Sequence, residues 1–166
     1  MSKPNFAILK SNHYSSDGNS QNYKEGKDVY EEIGYDIEEL KKQNPEYENT
    51  CAVRMSLALI KSGAYFGPPI SRLQVKDGTH KGRYIGTGAK TLADELSKSN
   101  SFGKPLTGEK AIEATKTKKG VIFFHKLWDS NTGHIDLIEP SDRSQICHSG
   151  CYFDANPREI WFWPLD

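Results

Sequence analysis

The sequence predicts an α+β fold, and two observations predict it. Apolar residues recur at helical spacing through the first two thirds of the chain, whereas β-branched and aromatic runs crowd the last third. Helices first and antiparallel strands after is the segregated layout of that class. With 166 residues, one domain over residues 1–166 is long enough to bury a core of its own.

Taken in order, residues 11–27 are rich in Ser, Asn, Asp and Gly and read as loop. Val29, Ile33, Ile37 and Leu40 share one helical face, which predicts a helix weakened at Gly34 and ended by Pro45. The stretch from Glu48 to Ile60 holds the central element. Its Asn49-Thr50 pair is cap-like, the residues that follow are apolar almost all round, and Gly63 stops it, so a buried helix is expected from about Thr50 to Ser62. Pro68-Pro69 fixes an extended segment, and the glycines at 78, 82, 86 and 88 mark residues 76–90 as long surface loops. Thr91–Ser97 and Thr107–Ala114 predict two short helices, the first with Leu92 and Leu96 on one face. Val121–Phe124 is expected as a core strand, residues 129–133 as a turn, and His134–Ile138 as the next strand, ended by Pro140. Cys151–Phe153 and Ile160–Trp163 are expected as two more strands.

Composition excludes some functions. Twenty-two basic residues balance 22 acidic ones, so no global basic surface exists to hold nucleic acid. No apolar run approaches the roughly 20 residues of a membrane span. The apolar part of Met1–Lys10 is too short for a secretory signal, so the general secretory route is expected to be unused.

The chemistry of the sequence centres on Cys51. A cysteine in the first turn of a helix meets the positive end of the helix dipole and free backbone N–H groups, both of which favour a thiolate nucleophile. The plain reading is a buried core cysteine. A nucleophilic cysteine needs a base, usually histidine. Of five histidines, His13 and His80 lie in polar loops and read as solvent-exposed, and His125 ends a strand and reads as structural. His134 follows Gly133 at a strand mouth, from which an imidazole can reach a neighbouring helix end. Asp136 lies two residues on and shares its strand face, so it can orient that imidazole; the plain reading is a solvated strand carboxylate. Cys147 and Cys151 form either a disulfide closing a tight loop or, with a histidine such as His148, part of a zinc site. Trp161, Phe162 and Trp163 read as strand core.

Several segments together resemble family 4 of the type VI secretion amidase effectors, toxins of the papain-like, NlpC-type cysteine peptidases. They are Asn49-Thr50-Cys51-Ala52-Val53-Arg54-Met55-Ser56, Lys119–Phe124, Trp128–Leu137, the Cys147/Cys151 pair and Ile160–Leu165, in the family's order and across nearly the whole chain. The resemblance implies a papain-like α+β fold, with the cysteine helix packed on a C-terminal antiparallel sheet. It implies hydrolysis of the amide between the γ-carboxyl of D-glutamate and meso-diaminopimelate in peptidoglycan stem peptides. Cys51 would be nucleophile and His134 base, Cys147 and Cys151 a disulfide, with no cofactor and no metal. The implied partners are the stem peptides, a cognate immunity protein and the type VI apparatus, which carries the protein from the cytoplasm to the target-cell periplasm. One departure stands out. The family's pattern puts an aspartate between the two C-terminal cysteines, and here His148-Ser149-Gly150 fill that interval. Asp136 is taken for the third role; the alternatives are His148, Ser149, a backbone carbonyl or a bare Cys–His dyad. From other classes, the competing readings are a non-catalytic zinc- or disulfide-clipped binding module and a papain-like acyltransferase.

Overall fold

A computed structural model describes residues 3–142 and 144–166. Its centre is the helix α4, Cys51–Lys61, in which every residue from Ala52 to Ile60 is buried. Among the described residues three α-helices, α1 (Phe6–Asn12), α2 (Gly26–Glu32) and α3 (Ile37–Gln43), and a 3₁₀ turn at Pro45–Glu48 precede it. A small hairpin of β1 (Arg72–Gln74) and β2 (Tyr84–Gly86) follows, then α5 (Ala89–Lys98), β3 (Leu106–Thr107) and α6 (Gly108–Thr115). The chain closes with β4 (Gly120–His125), β5 (Gly133–Pro140), β6 (Gln145–Cys147) and β7 (Glu159–Pro164).

The main sheet is antiparallel throughout, in the order β3-β7-β4-β5-β6. Alternation along β4 sorts its side chains to two cores. Val121 and Phe123 pack with Leu9 of α1, Met55 and Leu59 of α4, and Leu92 and Leu96 of α5. Ile122 and Phe124 pack on the other face with Ala111 of α6 and Phe162 of β7. The opposite side of α4, through Val53, Leu57 and Ile60, buries against Val29, Leu40 and Ile85. A helix packed on all sides must be apolar all round, which is the pattern the sequence carries there.

Three local expectations need correction. The helix expected through Val29–Leu40 is two helices, because Gly34 takes φ +94° where Lys76 and Asp77 press close; the chain turns there, and only glycine fits without strain. Cys151–Phe153 is not a strand. The strand next to β5 is Gln145–Cys147, and Phe153–Ala155 forms a 3₁₀ turn. Residues 76–90 are not loop throughout, since Tyr84–Gly86 pairs with Arg72–Gln74.

Candidate active site

Cys51 opens α4 at the edge of the sheet. Thr50 is its N-cap residue, but the Thr50 hydroxyl does not cap the helix; it accepts a hydrogen bond from Arg54 Nε at 2.7 Å. The Asn49 side-chain oxygen takes the capping place, accepting from Cys51 N at 3.4 Å. The Cys51 thiol donates toward the Gly133 carbonyl at 3.9 Å, which puts the helix start against the mouth of β5. Cys51 is half-buried, and the cleft it lines has a volume of about 580 Å³. Asn49, Thr87, Thr91, Ser130 and Thr132 give this cleft a polar wall, with Glu46 and Lys90 as its charged lining residues.

Among the described residues β6 pairs with Ile138–Pro140, so the first half of β5 has no strand beside it on that side; its Ile135 and Leu137 pack in the core, and alternation puts His134 and Asp136 on the other face. His134 and Asp136 share one face of that half. His134 Nε2 lies 2.9 Å from Asp136 Oδ2, and the imidazole packs on Tyr152, ring centroids 4.6 Å apart, and on Phe124. Asp136 is fully buried. Its carboxylate accepts backbone N–H bonds from Leu137 (2.8 Å), Ser149 (3.0 Å to Oδ2, 3.2 Å to Oδ1) and Gly150 (3.0 Å).

These contacts explain the charge states. Burial alone pulls the His134 pKa down, but hydrogen bonds to Asp136 and Cys51 and the charges on both outweigh it, raising it to about 10. Burial alone would raise Asp136; the hydrogen bond to His134, the charges of His134 and His13, and the Gly150 amide hold it below the usual carboxylate range. The imidazole is therefore held as imidazolium at neutral pH, with the Asp136 carboxylate behind it and the Cys51 sulfur before it.

Of the remaining histidines, His13 is not exposed. Only 1% of its surface is accessible, because the loop it opens after α1 folds onto the 148–150 segment, with its Nδ1 2.6 Å from His148 Nδ1. His148 comes from a segment 135 positions away, a distance that local polarity cannot anticipate. His80 is half-buried beside Asp77 and Thr79, away from Cys51. His125 ends β4, buried against Phe123. Cys147 and Cys151 are joined as a disulfide, which takes both sulfurs from any zinc site.

Arg54 is a site residue for which the sequence gives no reason beyond its odd place on an apolar helix. It is buried, and its Nη1 donates to the carbonyls of Tyr14, Ser15 and Lys24 at 3.4, 2.9 and 2.7 Å. The loop so held then grips the segment between the cysteines: Ser15 Oγ donates to the His148 carbonyl (2.6 Å) and Ser16 N to Ser149 Oγ (3.0 Å). A ring of contacts thus runs from the Cys51 helix through Arg54, the 13–24 loop and the 148–150 segment to Asp136, His134 and back to Cys51.

The family described as type VI secretion system (T6SS) amidase effector protein 4, Tae4, matches residues 47–163. Among solved structures, the type VI effector Tae4 from Enterobacter cloacae is 24% identical, with all of both chains covered and a TM-score of 0.69. Tae4 of Salmonella Typhimurium in its effector–immunity complex with Tai4 is 23% identical, with 99% of each chain covered and a TM-score of 0.65. Tae4 from Salmonella typhimurium bound to the immunity protein Tai4 of Enterobacter cloacae is 21% identical, covering 99% of this chain and 100% of that one, with a TM-score of 0.64. At these identities the likeness is one of fold. No curated protein matches the chain.

Proposed function

The chain belongs to the Tae4 family of type VI secretion amidase effectors, and from that membership we propose that it is a peptidoglycan cysteine amidase whose residues 1–166 form one catalytic unit. The proposed substrate bond joins the γ-carboxyl of D-glutamate to meso-diaminopimelate in the stem peptide. The observation that carries this reading is the line Cys51–His134–Asp136, opening on a polar cleft at the head of α4.

The Cys51 thiolate attacks the γ-carbonyl carbon, with His134 beside it as imidazolium. Negative charge moves to the carbonyl oxygen, and backbone N–H groups in the first turn of α4 are the natural donors to it. Asp136 keeps the imidazole oriented and protonated, so that His134 gives its Nδ1 proton to the departing amine. A thioester to Cys51 is left. Neutral His134 then takes a proton from water, the hydroxide adds to the thioester carbonyl, and the thiolate leaves. One amide and one water become one amine and one carboxylic acid. Glu46 and Lys90 suit a substrate segment that carries both carboxylates and an ammonium group.

The rest of the reading follows from the family. The effector is made in the cytoplasm, delivered by the type VI apparatus and active in the target-cell periplasm, where an oxidised Cys147–Cys151 bond can persist. Relatives solved with the immunity protein Tai4 support a cognate immunity protein as partner. The test is mass analysis of muropeptides after digestion of purified peptidoglycan. New fragments split between D-glutamate and diaminopimelate are expected from the wild type and none from Cys51→Ala. Intact stem peptides, or equal cleavage by both proteins, would remove the assignment.

A further inference from the structure

Asp136 has no solvent access, so its negative charge is compensated entirely by protein groups. Two of the backbone amides on it, Ser149 N and Gly150 N, lie inside the ring closed by the Cys147–Cys151 disulfide. The two ends of that ring are held differently. Its start is well anchored: His148 N donates to the Leu137 carbonyl at 2.9 Å, the His148 carbonyl accepts from Ser15 Oγ, and the His148 ring meets His13. Its end is held by less. Among the described residues, the hydrogen bond to Asp136 is the only one held by Gly150, and Cys151 has none. The disulfide is the covalent hold on this end, beside the packing of the Tyr152 ring on His134 and Phe124, and Cys151 is exposed to solvent.

We propose that the Cys147–Cys151 loop is a redox-set positioning element: closed, its amides fix the Asp136 carboxylate behind His134, and opened by a dithiol they let it go and turnover falls. The chemistry is ordinary thiol–disulfide exchange. A thiolate of the reductant attacks the exposed Cys151 sulfur, the S–S bond breaks, and Cys147 leaves as thiolate and takes up a proton. The second thiol of the reductant attacks the mixed disulfide, Cys151 leaves as thiol, and the reductant ends as its own disulfide. Two electrons pass to the protein, which gains two thiols. The physiological meaning rests on the reading given under Proposed function: a reducing cytosol would keep the effector slow in the cell that makes it, and an oxidising periplasm would switch it on.

This positioning role is separable from both folding and the substrate assignment. The His134 ring is followed by NMR through a pH titration of the wild type, oxidised and then treated with dithiothreitol, with far-UV circular dichroism recorded on the same samples. The oxidised protein should titrate near pH 10. Reduction should lower that value by about one pH unit or more, with the dichroism unchanged, as the carboxylate loses its fixed place. The double variant Cys147→Ser/Cys151→Ser should sit at the reduced value and ignore the reductant. Turnover on peptidoglycan should fall roughly tenfold on reduction, the scale of losing a hydrogen bond to a charged group. Reductant can only preserve the Cys51 thiol, so such a loss cannot come from the nucleophile. An unmoved titration overturns the proposal, and so does loss of the circular dichroism on reduction, which would make the disulfide a support of the fold. A shifted titration without peptidoglycan cleavage supports the positioning role and removes the substrate assignment instead.

Discussion

Two histidine sites lie on either side of Asp136, and they are tuned in opposite directions. His134 and His13 are both buried. His134 has hydrogen bonds to the Asp136 carboxylate and the Cys51 sulfur, so against burial its pKa rises to about 10. His13 has burial against it, the attraction of Asp136 without a hydrogen bond to it, and the charges of His148, Arg54 and His134 opposing it, so its pKa falls to about 3. His148, its partner at 2.6 Å, is also lowered, first by burial. At neutral pH the first site holds a proton ready for transfer, while the second is a neutral pair in which one ring donates and the other accepts. One is suited to chemistry and the other to holding a loop. Direct contact with a carboxylate decides which, because burial acts on both alike.

The strongest way to break the contrast is to remove the charge that creates it. Asp136→Asn keeps the side chain's shape and an oxygen that can still accept from Ser149 and Gly150. It cannot hold His134 as imidazolium. Turnover should fall by on the order of a hundredfold or more, about 3 kcal/mol of transition-state stabilisation. His134 should titrate below its wild-type value near 10. Kinetics and NMR titration of the same preparation check both. Unchanged turnover would leave a bare Cys–His dyad and remove Asp136 from the mechanism.

This variant tests the residue that was hardest to choose from sequence. Cys51, His134 and Asp136 could be singled out because each lies in a readable local setting: a cap before an apolar run, a glycine before a strand, and a period of two along that strand. The four-residue separation of the C-terminal cysteines makes a disulfide readable as one of two options. What could not be read is what the loop between them does. That Ser149 and Gly150 donate backbone amides to Asp136 is a property of main-chain groups, which every residue carries. Likewise the polarity around His13 suggests a surface loop, and only Arg54, reaching from α4 to three carbonyls of that loop, reveals why the segment is buried. The short strands β1, β2, β3 and β6 have two or three residues each, too few for alternation to declare them.

pH sharpens the contrast, since the two sites should unfold the protein at opposite ends of the scale. A histidine whose folded pKa is raised stabilises fully below its unfolded value of 6.5, and that contribution is lost as pH rises through about 10. His13 has the opposite sign. Its folded pKa is lowered, so its contribution is fully present above 6.5 and is lost as pH falls through about 3. Protonating it there also sets two cations against each other at the His13–His148 contact. The acid arm should cost a few kcal/mol, the order of several pKa units at about 1.4 kcal/mol each. Melting temperatures of His13→Gln across the acid range should fall less steeply than those of wild type, with the alkaline arm the same in both. Parallel acid arms would show that carboxylates elsewhere, not this pair, set acid stability.

The smallest test concerns the rim of the neutral pair. Lys10 and Glu139 form an ion pair at 2.6 Å with both side chains partly exposed, and they act on His148 with opposite signs, Lys10 lowering and Glu139 raising it. Lys10→Met removes one opposing cation and frees Glu139, so His148 should titrate at higher pH. Water and salt screen both charges, so the change should be a few tenths of a pH unit and the stability cost below about 1 kcal/mol. The shift should shrink as salt is added, which NMR titration of His148 at two ionic strengths would reveal. His134 should not move, because Asp136 and Cys51, both in contact with it, dominate its state. If His134 did shift with a charge on the far side of His148, the two histidine sites would be one coupled system. The neutral pair would then be part of the proton-holding machinery rather than an anchor for the loop behind it.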